Sequence, residues 1–346
     1  MKKTHLIKMV KIIITIVTVI IISIFIASQI LYTQKPLTII TPEGSNQPYH
    51  PSVVYLSEKF NGFSYWLVQT PYPIGGKPYR DRWEYPCIYA SNDGINWIVP
   101  KTLNNPIDDL NQLEVENKDF FSDPHLLYNS TQDRLECWYR ITHFNKDEGD
   151  KTKSLPTYIV RKVSYDGVKW SERELMINLQ NINTINNEVG KMVISQSIFW
   201  DRFKYRMWYV DELSYVNDRN VCYSESKDGK VWTKKKICLL QGKKIDPWHL
   251  DLQYINGKYY VIIYSKNTNE LTLWISIDGD NFKFEKILLR PSHPFNSFYK
   301  SGLYRSCLVW NGKGYMIYFS ANNGKKTSLG LMAGSNLSDM EIVDVK

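Results

Sequence analysis

One seven-residue motif, Ser-x-Asp-Gly-x-x-aromatic, recurs four times in this 346-residue chain. The copies are Ser91-Asn-Asp-Gly-Ile-Asn-Trp97, Ser164-Tyr-Asp-Gly-Val-Lys-Trp170, Ser226-Lys-Asp-Gly-Lys-Val-Trp232 and Ser276-Ile-Asp-Gly-Asp-Asn-Phe282. Asp-Gly between apolar runs marks a tight turn, because Gly accepts positive φ and Asp bonds the backbone of its own turn. A single copy carries little information. Four in step make an internal repeat, which constrains the fold more than local propensity does. Asp93, Asp166, Asp228 and Asp278 are therefore read as turn formers and not as catalysts.

Each copy follows an apolar strand (Cys87–Ala90, Tyr158–Val163, Val221–Glu225, Leu271–Ile275), and before each of these lies an aromatic-rich one (Tyr65–Thr70, Leu135–Ile141, Tyr205–Asp211, Tyr259–Ser265). A fifth aromatic-rich strand, Gly314–Ala321, is followed by Thr327–Ser335 without the Asp-Gly turn, as terminal repeats often are. A third strand type precedes these, starting at His50, Asp123, Ser195, His249 and Arg305, with Tyr55, Tyr128, Trp200, Tyr254 and Trp310 five residues later as expected blade core. Segments such as Trp232–Leu240 and Phe282–Arg290 supply a fourth. Five units of four antiparallel strands predict an all-β, five-bladed β-propeller, with Leu37–Thr41 a candidate to close the ring. The content of 24 Tyr and 11 Trp favours strands.

The leading segment is different. Ile12–Tyr32 is 21 uncharged residues, long enough to span a hydrocarbon core of about 30 Å. Lys2, Lys3, Lys8 and Lys11 precede it, so the positive-inside rule keeps the N-terminus cytoplasmic. The expected organisation is a basic tail (1–11), a transmembrane signal anchor (12–32), a linker (33–47) and an extracytoplasmic propeller (48–346). A cleaved signal peptide is the alternative, with a poorer cleavage pattern after Ala27. Without those four lysines the net charge falls from +8 to about +4, and no basic cluster accompanies a nucleic-acid motif. Five scattered Cys suggest neither a disulfide framework nor a metal-type spacing, so no metal or other cofactor is expected.

In a propeller the first strand of each blade lines the axis, and residues two apart face the same way. The starting positions His50, Asp123, Ser195, His249 and Arg305 and the next layer, Ser52, His125, Ser197, Asp251 and Cys307, put three His, two Asp and an Arg on one axis. A merely packed strand would hold Val and Ile there, so convergent polarity marks a ligand site. The loop Pro71–Pro86 reaches the same face and brings Tyr72, Trp83 and Glu84; with Trp248, these aromatics suit the C–H faces of sugars.

These residues resemble the five-bladed propeller superfamily of glycoside hydrolase families 43, 32, 62, 68 and 130. The carriers are the repeated turns, Ser122-Asp-Pro-His125, Arg206-Met-Trp-Tyr-Val-Asp211, Trp248-His-Leu-Asp251 and Tyr304-Arg-Ser306, spanning roughly residues 48–340. The resemblance implies catalytic carboxylates opening blades one, two and three. Here those positions hold His50, Asp123 and Ser195, so one carboxylate of three is kept. Inverting glycoside hydrolysis needs two separated carboxyl groups. Three readings stand: a glycosidase with relocated acids (Glu84, Glu188, Asp211, Glu212 or Asp251), a glycan-binding propeller that has lost catalysis, and a phosphorylase-like enzyme gripping phosphate through His50, His249 and Arg305. The implied site has Asp123, Asp251 and Glu84 as catalytic candidates. His50, His125, Ser195, Trp248, His249, Tyr304, Arg305, Tyr72 and Trp83 are its substrate contacts, and the implied partner is an oligo- or polysaccharide.

Overall fold

The computed structural model describes residues 2–31, 34–74, 84–117, 119–142, 157–178, 192–212, 219–291 and 297–345. Helix α1 (Lys2–Leu31) leads the chain. Within it Lys8–Ile26, 19 residues, is long and apolar enough to cross a membrane. The remainder is a five-bladed β-propeller. Blade 1 is β1 (Pro48–Phe60), β2 (Phe63–Pro71) and β3 (Cys87–Ser91), with Ile98 bridged to Ala90 where a fourth strand would lie. Helix α2 (Gln112–Glu116) leads into blade 2, which is β4 (Phe120–Asn129), β5 (Arg134–Thr142), β6 (Thr157–Ser164) and β7 (Glu174–Asn178). Blade 3 is β8 (Ile194–Trp200), β9 (Tyr205–Glu212), β10 (Arg219–Ser226) and β11 (Lys236–Ile237). Next, β12 (Leu239–Gln241) crosses to the outer edge of blade 4, pairing in parallel with that blade's last strand. Blade 4 is β13 (Pro247–Ile255), β14 (Lys258–Ser265), β15 (Glu270–Ser276) and β16 (Asn281–Leu289). Blade 5 is β17 (Gly302–Trp310), β18 (Tyr315–Asn322), β19 (Thr327–Gly334) and β20 (Glu341–Ile342).

The repeated turns are built as the sequence predicts. In the first, Asp93 Oδ1 accepts the N–H groups of Ile95 and Asn96, both at 2.8 Å, and Ser91 Oγ accepts that of Gly94 at 3.0 Å. The other three repeat the pattern. Each turn glycine also receives an aromatic ring from the blade before it: Tyr318 beside Gly94, Trp66 against Gly167, Trp138 against Gly229, Trp208 against Gly279. A Cβ on Gly167 would lie 2.1 Å from the Trp66 ring, so this glycine is required for blade packing as well as for its φ of +73°. The turn thus serves as an interblade contact.

Two expectations are refined. Tyr55, Tyr128, Trp200, Tyr254 and Trp310 are not fully buried; they pair across the turn joining first and second strands, as Tyr254 does with Tyr259 at 4.7 Å, and Tyr254 is 52% exposed. That position lies near the end of its strand, where one ring face meets water. Leu37–Thr41 is not a strand. Leu37 donates to Leu329 O at 2.8 Å, and Leu37 and Ile39 are buried in the seam between blades 5 and 1.

Ring closure comes instead from the axis. Ser52, His125, Ser197, Asp251 and Cys307 each accept a backbone N–H from the next blade. The donors are Leu126 (3.0 Å), Ile198 (3.0 Å), Leu252 (3.0 Å), Leu308 (2.9 Å) and Val53 (3.1 Å). Five different side chains perform one task, and the fifth bond joins the last blade to the first.

Candidate functional site

Above this ring sit the blade-opening residues. His50, Asp123 and Ser195 have φ of 51°, 53° and 52°, a left-handed conformation uncommon outside glycine. The ladder between first and second strands shifts register at this point in all five blades. A bulge re-aims a side chain, and such bulges and strained residues concentrate at functional sites. Here they turn His50 and Asp123 toward a common point with His249.

Each of these three offers a ligand atom, and all three atoms lie within 4.8 Å of one another. All three residues are buried. Asp123 Oδ2 accepts the Ser195 N–H at 3.2 Å and faces Arg140 Nη2 at 3.0 Å. Its other oxygen, Oδ1, has no hydrogen-bond partner among the described residues and lies 3.4 Å from His249 Nδ1. Neither nitrogen of His249 has a hydrogen-bond partner there either. His50 Nδ1 meets Thr70 Oγ1 at 2.9 Å, which leaves Nε2 as the nitrogen it has to offer.

The electrostatics follow from burial and charge. Burial alone would raise the Asp123 carboxyl, but the charges of Arg140 and Arg305 outweigh it and hold the group well below the usual range, so it stays ionised. Burial lowers His50 to about 3 and His249 well below its ordinary value, so both imidazoles are neutral at pH 7. Two neutral imidazoles and one carboxylate, with second-row bonds fixing His50 and Asp123, are the donor set of an open divalent-metal site. The orphaned atoms Asp123 Oδ1 and the His249 nitrogens fit such an ion, because unpaired buried polar atoms are costly. Linear spacing cannot disclose this set, since each member comes from a different blade.

Glu84 lies beside it. It is buried, has φ of 60°, and its Oε2 has no hydrogen-bond partner among the described residues. Burial, then the charge of Asp123, raise its pKa to about 8. Ser122 links Glu84 to Arg140, hydrogen-bonding the Glu84 carboxyl and accepting from Arg140 Nη2 at 2.9 Å.

Around these groups Tyr49, Tyr72 and Tyr304 form an aromatic wall. Tyr49 stacks on Tyr304 at 5.4 Å and contacts Tyr72 at 4.9 Å, while Tyr304 lies 4.1 Å from the His249 ring. Trp248 backs this wall: its Nε1 donates to Tyr304 Oη at 2.7 Å, and Arg219 and Lys266 lie over its ring at 4.5 and 4.3 Å.

The remaining sequence candidates divide by depth. Ser195 Oγ accepts the Leu250 N–H at 3.0 Å, and Arg305, buried beneath the cluster, reaches Asp123 Oδ1 at 4.0 Å and Gln196 O at 3.3 Å. His125 and Asp251 belong to the closure ring; Asp251 also accepts from Ser197, and burial raises it to about 6. Asp211 is bound by Lys235 and by the Met192 N–H. Trp83 and Glu188 lie outside the described residues. Tyr49 and Arg140 are contributions that sequence reading missed. Arg140 had one faint signal, a cation among the aromatic residues near the end of its strand, Arg134–Thr142.

No family model matches the chain. In sequence it is similar to the A type blood N-acetyl-α-D-galactosamine deacetylase of Flavonifractor plautii, 26% identical over 323 residues. The match covers 80% of this chain and 40% of that relative, so the chain spans less than half of the curated relative's length. In structure it resembles an N-acetylgalactosamine deacetylase from F. plautii solved with blood group B trisaccharide. There the TM-score is 0.67 at 21% identity, covering 87% of this chain and 95% of that one. It also resembles a β-xylosidase, at TM-score 0.58 and 10% identity, covering 90% and 98% of the two chains. A family 43 β-1,3-galactosidase solved with galactodeoxynojirimycin gives 0.56 and 11%, covering 91% and 99%. At these identities the structural likenesses establish the five-bladed fold.

Proposed function

We propose that this chain is a membrane-anchored, extracytoplasmic hydrolase of a glycan, and that the bond it cleaves is the acetamide of an N-acetylated sugar. The convergence of His50, Asp123 and His249 carries the reading. A glycosidase needs two carboxyl groups facing each other across the scissile bond. Asp123 is tied to Arg140 and Ser195, and Asp251 is engaged by Leu308 and Ser197 in the closure ring. That leaves Glu84 alone.

A divalent cation held by His50, Asp123 and His249 would supply Lewis acidity, polarising an amide carbonyl and acidifying a water. Glu84 provides the proton traffic. Its pKa near 8 lets the ionised fraction take a proton from the attacking water and return it to the departing nitrogen. The C–N bond breaks, acetate leaves, and a free amine remains on the sugar. Tyr72 and Tyr304, held by the buried Tyr49 packed against both, offer apolar surface to the sugar ring. The similarity to a deacetylase of N-acetyl-α-D-galactosamine supports the same reaction class.

One observation favours a second reading: Glu84, largely protonated beside ionised Asp123, is the acid half of a glycosidase pair. Acetate and new reducing ends should therefore be followed together, using oligosaccharides ending in N-acetylgalactosamine or N-acetylglucosamine. Acetate release is expected, lost on chelation, in His249→Ala and in Glu84→Gln. Reducing ends without acetate would overturn the deacetylase and favour the glycosidase.

A further inference from the structure

The end of the propeller axis at which His50, Asp123 and His249 converge is its funnel side, and the opposite face carries an unusual surface. First-to-second-strand turns and the Asp-Gly turns all project there. Four of these turns, in blades 2, 3 and 4, carry a strongly exposed apolar side chain: Tyr165 (65% exposed), Phe203 (82%), Val231 (65%) and Ile277 (80%). None serves its own turn, whose bonds come from Ser, Asp and backbone. The described turns on the funnel side, Lys266–Asn269 and Asn323–Lys326, are wholly polar. Single exposed apolar residues are ordinary; four at the tips of one face are not.

Basic residues stand between them. Lys169, Arg202, Lys227 and Lys234 are exposed and, among the described residues, have no carboxylate at ion-pair distance. Beside Val231 a cleft of about 420 Å³ is lined by Lys227, Asp228, Trp232 and the ion pair of Lys204 with Glu225. The turn carboxylates Asp228 and Asp278 share this face, but the apolar tips and the four cations without ion pairs among the described residues give it the character of the boundary between acyl chains and anionic headgroups.

The tether brings such a surface within reach. Lys35 is fixed to blade 5 by its bond to Asp344 Oδ1, at 2.8 Å. The neighbouring Val343 N–H bonds Leu331 O, roughly 10 Å above the Gly334 end of β19 at about 3.3 Å per residue. Between Ile26 and Lys35 lie the end of α1 and three further residues. At 1.5 Å per helical and at most ~3.5 Å per extended residue they reach about 18 Å. That length lets the turn-bearing face touch the bilayer.

We propose that this face rests on the anionic phospholipid surface of the membrane that Lys8–Ile26 crosses, so that the funnel opens away from the lipid. The proposal is independent of the reaction and rests on the helix being a span. All five native cysteines are buried, so single cysteines introduced as Phe203→Cys, Ile277→Cys and, on the funnel side, Lys325→Cys can be labelled with an environment-sensitive fluorophore. The full chain is placed in nanodiscs of phosphatidylglycerol or phosphatidylcholine containing lipids spin-labelled near the headgroup. Labels at 203 and 277 should be quenched at least about twofold in phosphatidylglycerol, less in phosphatidylcholine, and the label at 325 in neither. Lys227→Glu with Lys234→Glu should remove the lipid dependence and leave acetate release from soluble oligosaccharides unchanged. Quenching at 325 alone, equal exposure of all three labels, or a chain that does not enter the bilayer would overturn the proposal. Acetate release is measured separately and stands or falls apart from it.

Discussion

Glu84→Gln separates what the site needs from what the fold tolerates. In the folded chain the Glu84 carboxyl is raised from 4.5 to about 8, first by burial and then by Asp123. Below pH 4.5 folded and unfolded chains both hold the proton and the group contributes no pH dependence. Between 4.5 and 8 the folded chain keeps a proton that the unfolded chain releases, so stability falls as pH rises. At about 1.36 kcal/mol per pH unit the loss levels off above pH 8 at roughly 4 to 5 kcal/mol. Gln keeps the shape and a bond to Ser122 but cannot ionise. Metal-free Glu84→Gln should therefore match the parent near pH 5 and exceed it by roughly 4 kcal/mol near pH 9. The raised pKa of Asp251 contributes equally to both proteins and cancels. Urea unfolding at pH 5, 7 and 9 in the presence of chelator measures the difference. Parallel pH curves would show that Glu84 is not held protonated, and its role as proton carrier would go with it.

Asp123→Asn should destabilise the chain by about 3–5 kcal/mol, because Arg140 and Arg305 are left buried without their anion; denaturant midpoints test this. Gly167→Ala should cost about 2 kcal/mol or more beyond Gly257→Ala. Both have positive φ, but only at Gly167 would the new Cβ meet a ring, that of Trp66. Cys307→Val should cost about 1–3 kcal/mol by leaving the Val53 N–H without an acceptor, and Cys307→Ser should recover part of it; thermal melts of the three proteins side by side decide.

Much of the architecture was legible because the repeat is written in local chemistry. Asp93 and its three equivalents fix turns within a few residues of themselves, so their role needs no tertiary knowledge. The polar axis was legible because strand alternation places His50 and Asp123 on it. The sorting of that axis was not. His125 and Asp251 read as ligand contacts, yet the fold uses their acceptors for the N–H groups of Ile198 and Leu308, an assignment that depends on how far each blade slides past the next. The metal-type cluster was hidden for a related reason, since His50, Asp123 and His249 are 73 and 126 residues apart in sequence. The aromatic wall was half seen. Tyr72 and Tyr304 were named, whereas Tyr49 became visible only when a bulge brought it beside both.

The closure ring has a temporal consequence. Its final bond, from Val53 to Cys307, joins residues 254 apart. Contacts of such separation form late, since the chain must first close a long loop. Blade 1 emerges early in synthesis yet lacks its second neighbour until blade 5 has been made. The cluster is subject to the same delay, because it draws on blades 1, 2 and 4. A chain threading outward from its ribosome would thus carry no assembled His50–Asp123–His249 cluster while the later blades remain unmade.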